Sequence, residues 1–155
     1  MSNIFFGKRI LVTGGAGSIG STIVHELAVR DCDLIRVLDT NETGLFTLEQ
    51  ELPHNTKCRF LVGDVRDRDR MRRAVEGIDV VIHAAALKHV QSSEYNPFEA
   101  VKTNILGAQH VIEAAIDCGV KQVMAISSDK AVNPINLYGA TKLCAEKLFI
   151  QGNSY

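Results

Sequence analysis

Five side chains close together near the end of the chain could surround one small substrate: Ser128, Asp129, Lys130, Tyr138 and Lys142. They offer a phenol, two ammonium groups, a carboxylate and a hydroxyl. On a helix, positions i and i+4 share a face, so Lys142 can stabilise a phenolate at Tyr138. A free phenol titrates near 10. Acting as a base near neutrality needs a drop of roughly 3 units, about 4 kcal/mol of differential stabilisation. One or two positive charges in a cleft shielded from water can supply that. Plainer readings exist for both pairs: a packed tyrosine beside a surface lysine, and an exposed Asp129-Lys130 ion pair in a turn before Pro134.

The context for those residues lies at the other end of the chain. Residues 8–13 read as a short buried strand, followed by Gly14-Gly15-Ala16-Gly17-Ser18-Ile19-Gly20. Residues 21–30 then place apolar side chains at Ile23, Val24, Leu27 and Ala28, which fits a helix. A strand, a glycine turn and a helix start make a phosphate-binding site. Gly14 permits the tight turn, Gly17 lets the backbone approach a pyrophosphate, and Gly20 lets helix pack on strand. Gly14, Gly17, Ser18, Ile19 and Gly20 are therefore the expected cofactor cradle, spaced G-x-x-G-x-x-G. A second strand over 33–38 ends at Asp39, where a carboxylate can bond both ribose hydroxyls and would repel a 2′-phosphate. No Arg stands at that turn. The expected cofactor is NAD, with NADP possible. The other role open to Asp39, or to Thr40, is the N-cap of a helix over 42–52.

Strands and helices alternate through the rest of the chain. Further strands are expected near 58–63, 79–84 and 122–127. A long helix is expected over 97–118 and a last one over 137–150. Asn96 would cap the long helix, with Pro97 its first residue and Gly119 its stop. This alternation, with right-handed crossovers, predicts an α/β fold: a Rossmann-type doubly wound parallel sheet of order 3-2-1-4-5, with ligand at the strand C-termini. Asp64, followed by Val65, ends the third strand and could reach an adenine ring; a turn-forming Asp fits as well. Ala84, Ala85 and Ala86 end the fourth strand and would let a cofactor lie against the backbone, although tight packing also needs small residues. His83, in an apolar strand, reads as a satisfied core residue. Asn104 is mildly unfavourable inside a helix; it is expected to bridge that helix to the active-site strand and to belong to the cofactor site. Lys88 and His89 follow strand four and are the expected substrate contacts. His25 and His110 are expected to face solvent or partners.

At 155 residues and 46% hydrophobic content, one domain with an ample core is expected over 1–155. A net charge of −1 gives no general attraction to nucleic acid or anionic membrane. The one dense charge run, 64–73, mixes signs and reads as a solvated helix face capped by Asp67. Cys32, Cys58, Cys118 and Cys144 lack C-x-x-C spacing, which fits reduced thiols in a cytoplasmic protein and no metal site. No stretch approaches eighteen apolar residues, so no membrane span or export signal is expected.

The run Thr13 to Gly20 together with Tyr138-Gly139-Ala140-Thr141-Lys142 resembles the extended short-chain dehydrogenase/reductase superfamily. Three further runs narrow the likeness: Ala85-Ala86-Leu87-Lys88-His89-Val90; Glu94-Tyr95-Asn96-Pro97-Phe98-Glu99-Ala100 with Thr103-Asn104-Ile105-Leu106-Gly107; and Ser128-Asp129-Lys130-Ala131-Val132-Asn133-Pro134. Together they are similar to the nucleotide-sugar 4,6-dehydratases acting on UDP-N-acetylglucosamine in polysaccharide biosynthesis and flagellin glycosylation. The resemblance implies a division of labour. Tyr138 takes the proton of the sugar 4-hydroxyl while hydride passes to the nicotinamide. Ser128 bonds the same oxygen, and Lys142 assists Tyr138 and holds the nicotinamide ribose. Lys130 then removes the C5 proton, Asp129 protonates the departing 6-hydroxyl, and hydride returns to C6. An acid beside a base suits such an elimination, whereas a plain alcohol dehydrogenase has no use for the pair.

Where the family often has Thr, this chain has Ser128, which keeps a hydroxyl. The family also continues for well over another hundred residues, so the substrate-binding lobe is expected to be missing here and apolar surface to be exposed near strand five. The superfamily's habit of pairing the two long helices in a four-helix contact makes a homo-oligomer possible. A 4-epimerase or reductase of the same superfamily is one alternative, although the ten-residue gap from Ser128 to Tyr138 and the Asp-Lys pair count against it. A non-catalytic dinucleotide-binding module is another.

Overall fold

The computed structural model describes residues 4–54 and 56–155. Five parallel strands lie in the order β3-β2-β1-β4-β5, as expected. They are β1 (Arg9–Thr13), β2 (Leu34–Asp39), β3 (Cys58–Val62), β4 (Val80–His83) and β5 (Gln122–Ala125). Helices α1 (Ser18–Ala28), α2 (Glu42–Glu51) and α3 (Arg68–Val75) connect the early strands. Helices α4 (Val90–Tyr95), α5 (Pro97–Val101) and α6 (Gly107–Asp117) lie between β4 and β5, and α7 (Leu137–Gln151) follows β5. Because β1 pairs with both β2 and β4, the winding reverses beside it. A crevice opens at such a switch point, at the carboxyl ends of the strands.

Strand side chains alternate between faces, and two cores form. Ile10, Val12, Ile35, Val37 and Ile82 pack with Val24 and Leu27 of α1 and Leu45 and Leu48 of α2. Leu11, Leu38 and Val81 face the other way, onto Met71, Ala74 and Val75 of α3 and Val111 and Ala114 of α6. Full burial of each large aliphatic side chain contributes roughly 1.5–3 kcal/mol. Arg36 carries charge into this sheet by ending α3: its Nη1 donates to the carbonyls of Ala74 and Glu76 at 2.8 and 2.7 Å. Asp67 caps the start of α3 by accepting from the Arg70 amide at 2.9 Å, as expected.

The local differences from expectation have identifiable causes. Helix α1 begins at Ser18 rather than at residue 21, so the last glycine of the loop is inside the helix. Asn41, not Asp39 or Thr40, caps α2, its Oδ1 accepting from the Gly44 amide at 3.0 Å. The long helix is not continuous. A π-helical turn at Lys102–Leu106 separates α5 from α6. Such a turn shifts the register by one residue and is frequent at functional sites. Asn96 does precede Pro97, but its side-chain amide donates back to the Ser92 carbonyl at 3.0 Å instead of capping. Gly119, at φ 68°, ends the helix as expected. His110 does not face solvent or a partner alone; its Nδ1 hydrogen-bonds the Val65 carbonyl at 3.1 Å. Strand β5 stops at Ala125, two residues short of expectation, and exposes Val123 and Met124. Among the described residues, no helix is long and apolar enough to cross a membrane.

Candidate active site at the carboxyl edge of the sheet

The crevice is a cleft of about 590 Å³ running from the glycine loop to α7. Its first wall is backbone. A Cβ added at Gly14 would lie 2.6 Å from the Ala85 amide nitrogen, and one at Gly20 would lie 2.1 Å from the Gly14 carbonyl oxygen. Neither position accepts a side chain. Gly17 is the N-cap of α1 and brings no side-chain hydrogen bond, so the amides of the first turn are left to a ligand. Together with Ser18 and Ile19 these residues line the cleft and form a cradle fit for a pyrophosphate.

Asp39 stands at the end of β2, in the wall beside the cradle. Its Oδ2 accepts from the Ala16 amide at 3.0 Å and its Oδ1 from the Asn41 amide at 2.9 Å. The carboxylate therefore links the glycine loop to the start of α2. Asp64 and Val65 line the cleft beyond it. The Asp64 carboxylate is engaged by Arg66, accepting from its backbone amide at 2.9 Å and from its Nε at 2.8 Å. Burial alone would raise the Asp64 pKa, but the hydrogen bonds and charge of Arg66 outweigh it and hold the carboxyl below its usual value. Arg66 reaches on to Glu99 at 2.5 Å, and Glu99 pairs with Lys102 at 2.9 Å. This chain of charges joins the end of β3 to α5.

Ala84, Ala85 and Ala86 line the floor, with Lys88 at its far end. His83, just before them, is 4% exposed and shares a 2.7 Å hydrogen bond between its Nδ1 and Thr13 Oγ1. Burial, helped by the Lys142 charge, pushes its pKa down to about 3, so it is neutral and structural. Asn104 is 2% exposed and forms a bridge, but to the loop after β4 and to α7 rather than to a strand. Its Oδ1 accepts from the Leu87 amide at 2.8 Å, and its Nδ2 donates to the Leu87 carbonyl and to Thr141 Oγ1, both at 2.9 Å. The π-helical turn thus ties the loop after β4 to α7. Asn104 lies behind the cleft wall and not among the residues that line it.

Helix α7 is opened by Asn136, whose side chain accepts from the Gly139 amide at 2.9 Å. Tyr138 and Lys142 are each 8% exposed and both line the cleft. Lys142 Nζ donates to the Ile126 carbonyl at 2.6 Å. Burial pushes this ammonium below its ordinary pKa. Asp129 and Lys130 open a short 3-10 turn after β5, Asp129–Ala131, which Ser128 caps. Ser128 Oγ donates to Asp129 Oδ1 at 3.0 Å and accepts from the Lys130 amide at 3.2 Å. Lys130 Nζ pairs with Asp129 at 3.3 Å, where the two side chains are 47% and 86% exposed. Contacts from Ser128 and then Lys130 hold the Asp129 pKa below its usual value. A Cβ on Gly139 would lie 2.2 Å from the Lys130 carbonyl oxygen, so the turn sits directly on α7.

The cleft therefore gathers Tyr138, Lys142, Lys88 and the cofactor-cradle residues, while Ser128, Asp129, Lys130 and His89 lie outside its lining. His89 is exposed at the N-cap of α4. Ser127, not Ser128, is the β5-loop serine on the cleft wall. Arg66, Glu99 and Thr141 were not foreseen. Arg66 had a signal, an Arg two residues past the strand-ending Asp64, whereas the contacts of Glu99 with Arg66 and of Thr141 with Asn104 arise through tertiary packing. No cluster of His, Cys, Asp and Glu among the described residues could hold a metal ion.

The family of polysaccharide biosynthesis proteins matches residues 10–155. An uncharacterized membrane protein of Methanocaldococcus jannaschii is 59% identical over 155 residues, all of this chain and 46% of the relative. An inverting UDP-N-acetylglucosamine 4,6-dehydratase of Campylobacter jejuni is 47% identical over 97% of this chain and 45% of its own length. A UDP-glucose 4-epimerase of Rickettsia prowazekii is 40% identical over 95% and 44%. Among solved structures, Pen from Bacillus thuringiensis superposes with a TM-score of 0.95 at 44% identity, covering 99% of this chain and 47% of that one. A UDP-glucose 4-epimerase of Stenotrophomonas maltophila with bound NAD gives 0.83 at 29% identity, covering 93% and 48%. This chain spans about half the length of the relatives it matches. With its sheet order, glycine cradle and matched span, the chain belongs to the polysaccharide biosynthesis protein family, within the short-chain dehydrogenase/reductase superfamily, and is similar to nucleotide-sugar dehydratases and epimerases.

Proposed function

We propose that this chain holds the dinucleotide and the proton-transfer residues of a nucleotide-sugar 4,6-dehydratase acting on UDP-N-acetylglucosamine in glycan biosynthesis in the cytoplasm. The observation that carries this reading is the placement of Tyr138 and Lys142 on the cleft wall, with the Asp129-Lys130 turn seated on the same helix. Residues 1–155 are then the dinucleotide-binding domain, and the lobe that holds most of the sugar nucleotide belongs to the further length seen in the relatives.

Gly14, Gly17, Ser18, Ile19 and Gly20 would hold the pyrophosphate of NAD and Asp39 its adenosine ribose. Asp64, Val65 and the three alanines would line its path. When bound, the nicotinamide supplies reversible oxidation of the sugar carbon. The protein's own work is proton traffic. Tyr138 accepts the proton of the 4-hydroxyl, and the positive charge of Lys142 favours the phenolate that makes this possible. Ser128 steadies the same oxygen. A carbonyl at C4 acidifies the C5 proton, which Lys130 removes while Asp129 protonates the leaving 6-hydroxyl. The present contacts of Asp129 favour its ionised form. To act as an acid it must exchange Ser128 and Lys130 for the substrate hydroxyl, and its exposure leaves it free to do so.

Incubation with UDP-N-acetylglucosamine and NAD tests the reading by mass spectrometry, with loss of one water expected. The relative that is an epimerase supports a second reading. A product of unchanged mass with inverted C4 would establish it and reject dehydration. Bound dinucleotide without any product would leave a binding module.

A further inference from the structure

We propose that Glu146 is a positioning residue for this site, holding the loop after β5 through Ser127 and keeping negative charge beside Lys142. Tyr138, Lys142 and Glu146 follow one another at four-residue intervals on α7 and share one face of it. The two lower members grip consecutive residues of the same loop. Lys142 Nζ binds the Ile126 carbonyl, and the Glu146 carboxylate accepts a hydrogen bond from Ser127 Oγ. The next residue is Ser128, whose hydroxyl starts the turn carrying Asp129 and Lys130. Gly139, on the same helix, closes against the Lys130 backbone. One helix therefore sets where the loop lies relative to Tyr138.

A carboxylate suits this task because charge-assisted O–H···O bonds are shorter and about twice as strong as neutral ones. It also has a second effect. The titratable groups around Lys142 are Tyr138 and Glu146, one turn before and one turn after it on α7, and neutral His83 on β4. Burial pushes the Lys142 ammonium down, and Glu146 opposes that push. Lys142 gives its hydrogen bond to Ile126 rather than to Glu146, which leaves the carboxylate available to Ser127.

The kinetic arm of the test rests on the dehydratase reading, and the exchange arm does not. Amide hydrogen exchange over 126–130 is measured by mass spectrometry on the full chain and on Glu146→Ala, Ser127→Ala and Glu146→Gln. The two alanine variants should raise exchange in that segment about tenfold, with exchange in the strands unchanged. Glu146→Gln keeps an acceptor and should stay near wild type. In turnover of UDP-N-acetylglucosamine, Glu146→Gln should lower kcat with KM unchanged. Its alkaline limb should move to lower pH, because Lys142 loses its proton sooner without the carboxylate. Wild-type exchange in both alanine variants, or an unshifted limb in an active Glu146→Gln, would overturn the proposal. If the wild-type chain forms no dehydrated product, the dehydratase reading falls, and exchange alone decides the role of Glu146.

Discussion

Lys142 and Lys130 belong to one candidate site and live in opposite surroundings. Lys142 is 8% exposed, on the buried face of a fifteen-residue helix packed against α4, α5, α6 and the π-helical turn. Lys130 is nearly half exposed, in a three-residue turn, and its partner Asp129 is more exposed still. Packing fixes the first pair, Tyr138 with Lys142, before any ligand arrives, and burial perturbs the amine. The second pair, Asp129 with Lys130, is held only by short contacts in water, where such ion pairs contribute little. Under the proposed function, oxidation would sit on a preorganised wall and elimination on a turn whose final geometry depends on what binds over it. The difference matches the demands of the two steps. A phenolate base needs a tuned environment, whereas a lysine and an aspartate must change proton and partner within one turnover.

Substitutions at the two lysines give the largest effects and test the contrast directly. Lys130→Ala should lower exchange of the C5 proton with solvent by about 10²–10⁴-fold in the full-length enzyme. Its unfolding midpoint in urea should match wild type. Lys142→Met should abolish oxidation at C4 and also shift that midpoint. Equal effects of the two on folding would break the distinction. Gly20→Ala comes next. A Cβ 2.1 Å from the Gly14 carbonyl must displace the loop. NAD affinity by calorimetry should then fall about 100-fold, equivalent to about 3 kcal/mol.

Asn104→Ala removes the bridge between the π-helical turn, the loop after β4 and α7. It should destabilise the fold by about 2 kcal/mol, because the part-buried Leu87 backbone and the buried Thr141 hydroxyl lose their hydrogen bonds to it. Thermal unfolding measures this. His83 supplies a pH-dependent effect that is smaller over the range from pH 6.5 to 5. Its pKa is about 3 in the fold against 6.5 ordinarily, so the unfolded chain binds the proton more readily. Stability is full above pH 6.5 and falls as pH drops toward 3, by up to about 1.4 kcal/mol per unit. Urea midpoints between pH 6.5 and 5 should slope in wild type and flatten in His83→Gln. The smallest effect expected is on cofactor choice: Asp39→Ser should narrow a preference for NAD over NADP, and equal affinities in the wild type would remove the ribose role from Asp39.

Much of this architecture was legible in residue order. The strand–helix alternation, the glycine spacing and the apolar strands point to the observed sheet, because each is a local pattern with one common packing solution. Caps at Asp67 and the stop at Gly119 were legible for the same reason. The cap at Asn41 was not, because Asp39, Thr40 and Asn41 all carry suitable oxygens and the glycine loop draws Asp39 to the Ala16 amide. The break in the helix after Pro97 was also hidden. Its apolar period reads through Lys102–Leu106, and only the bonds of Asn104 to Leu87 and Thr141 make the extra residue worthwhile.

Residue order alone determined the class of chemistry available here: a glycine cradle for a dinucleotide, and a Tyr-Lys and an Asp-Lys pair near one another in the chain. Those facts follow from side-chain type and helical or turn spacing, which are local. Only the tertiary structure decided which pair is buried, that Ser127 rather than Ser128 meets the cleft, and that Arg66 reaches Glu99 on α5. Burial and partnership are set by segments distant in sequence that arrive at the same place, and no local pattern encodes that meeting.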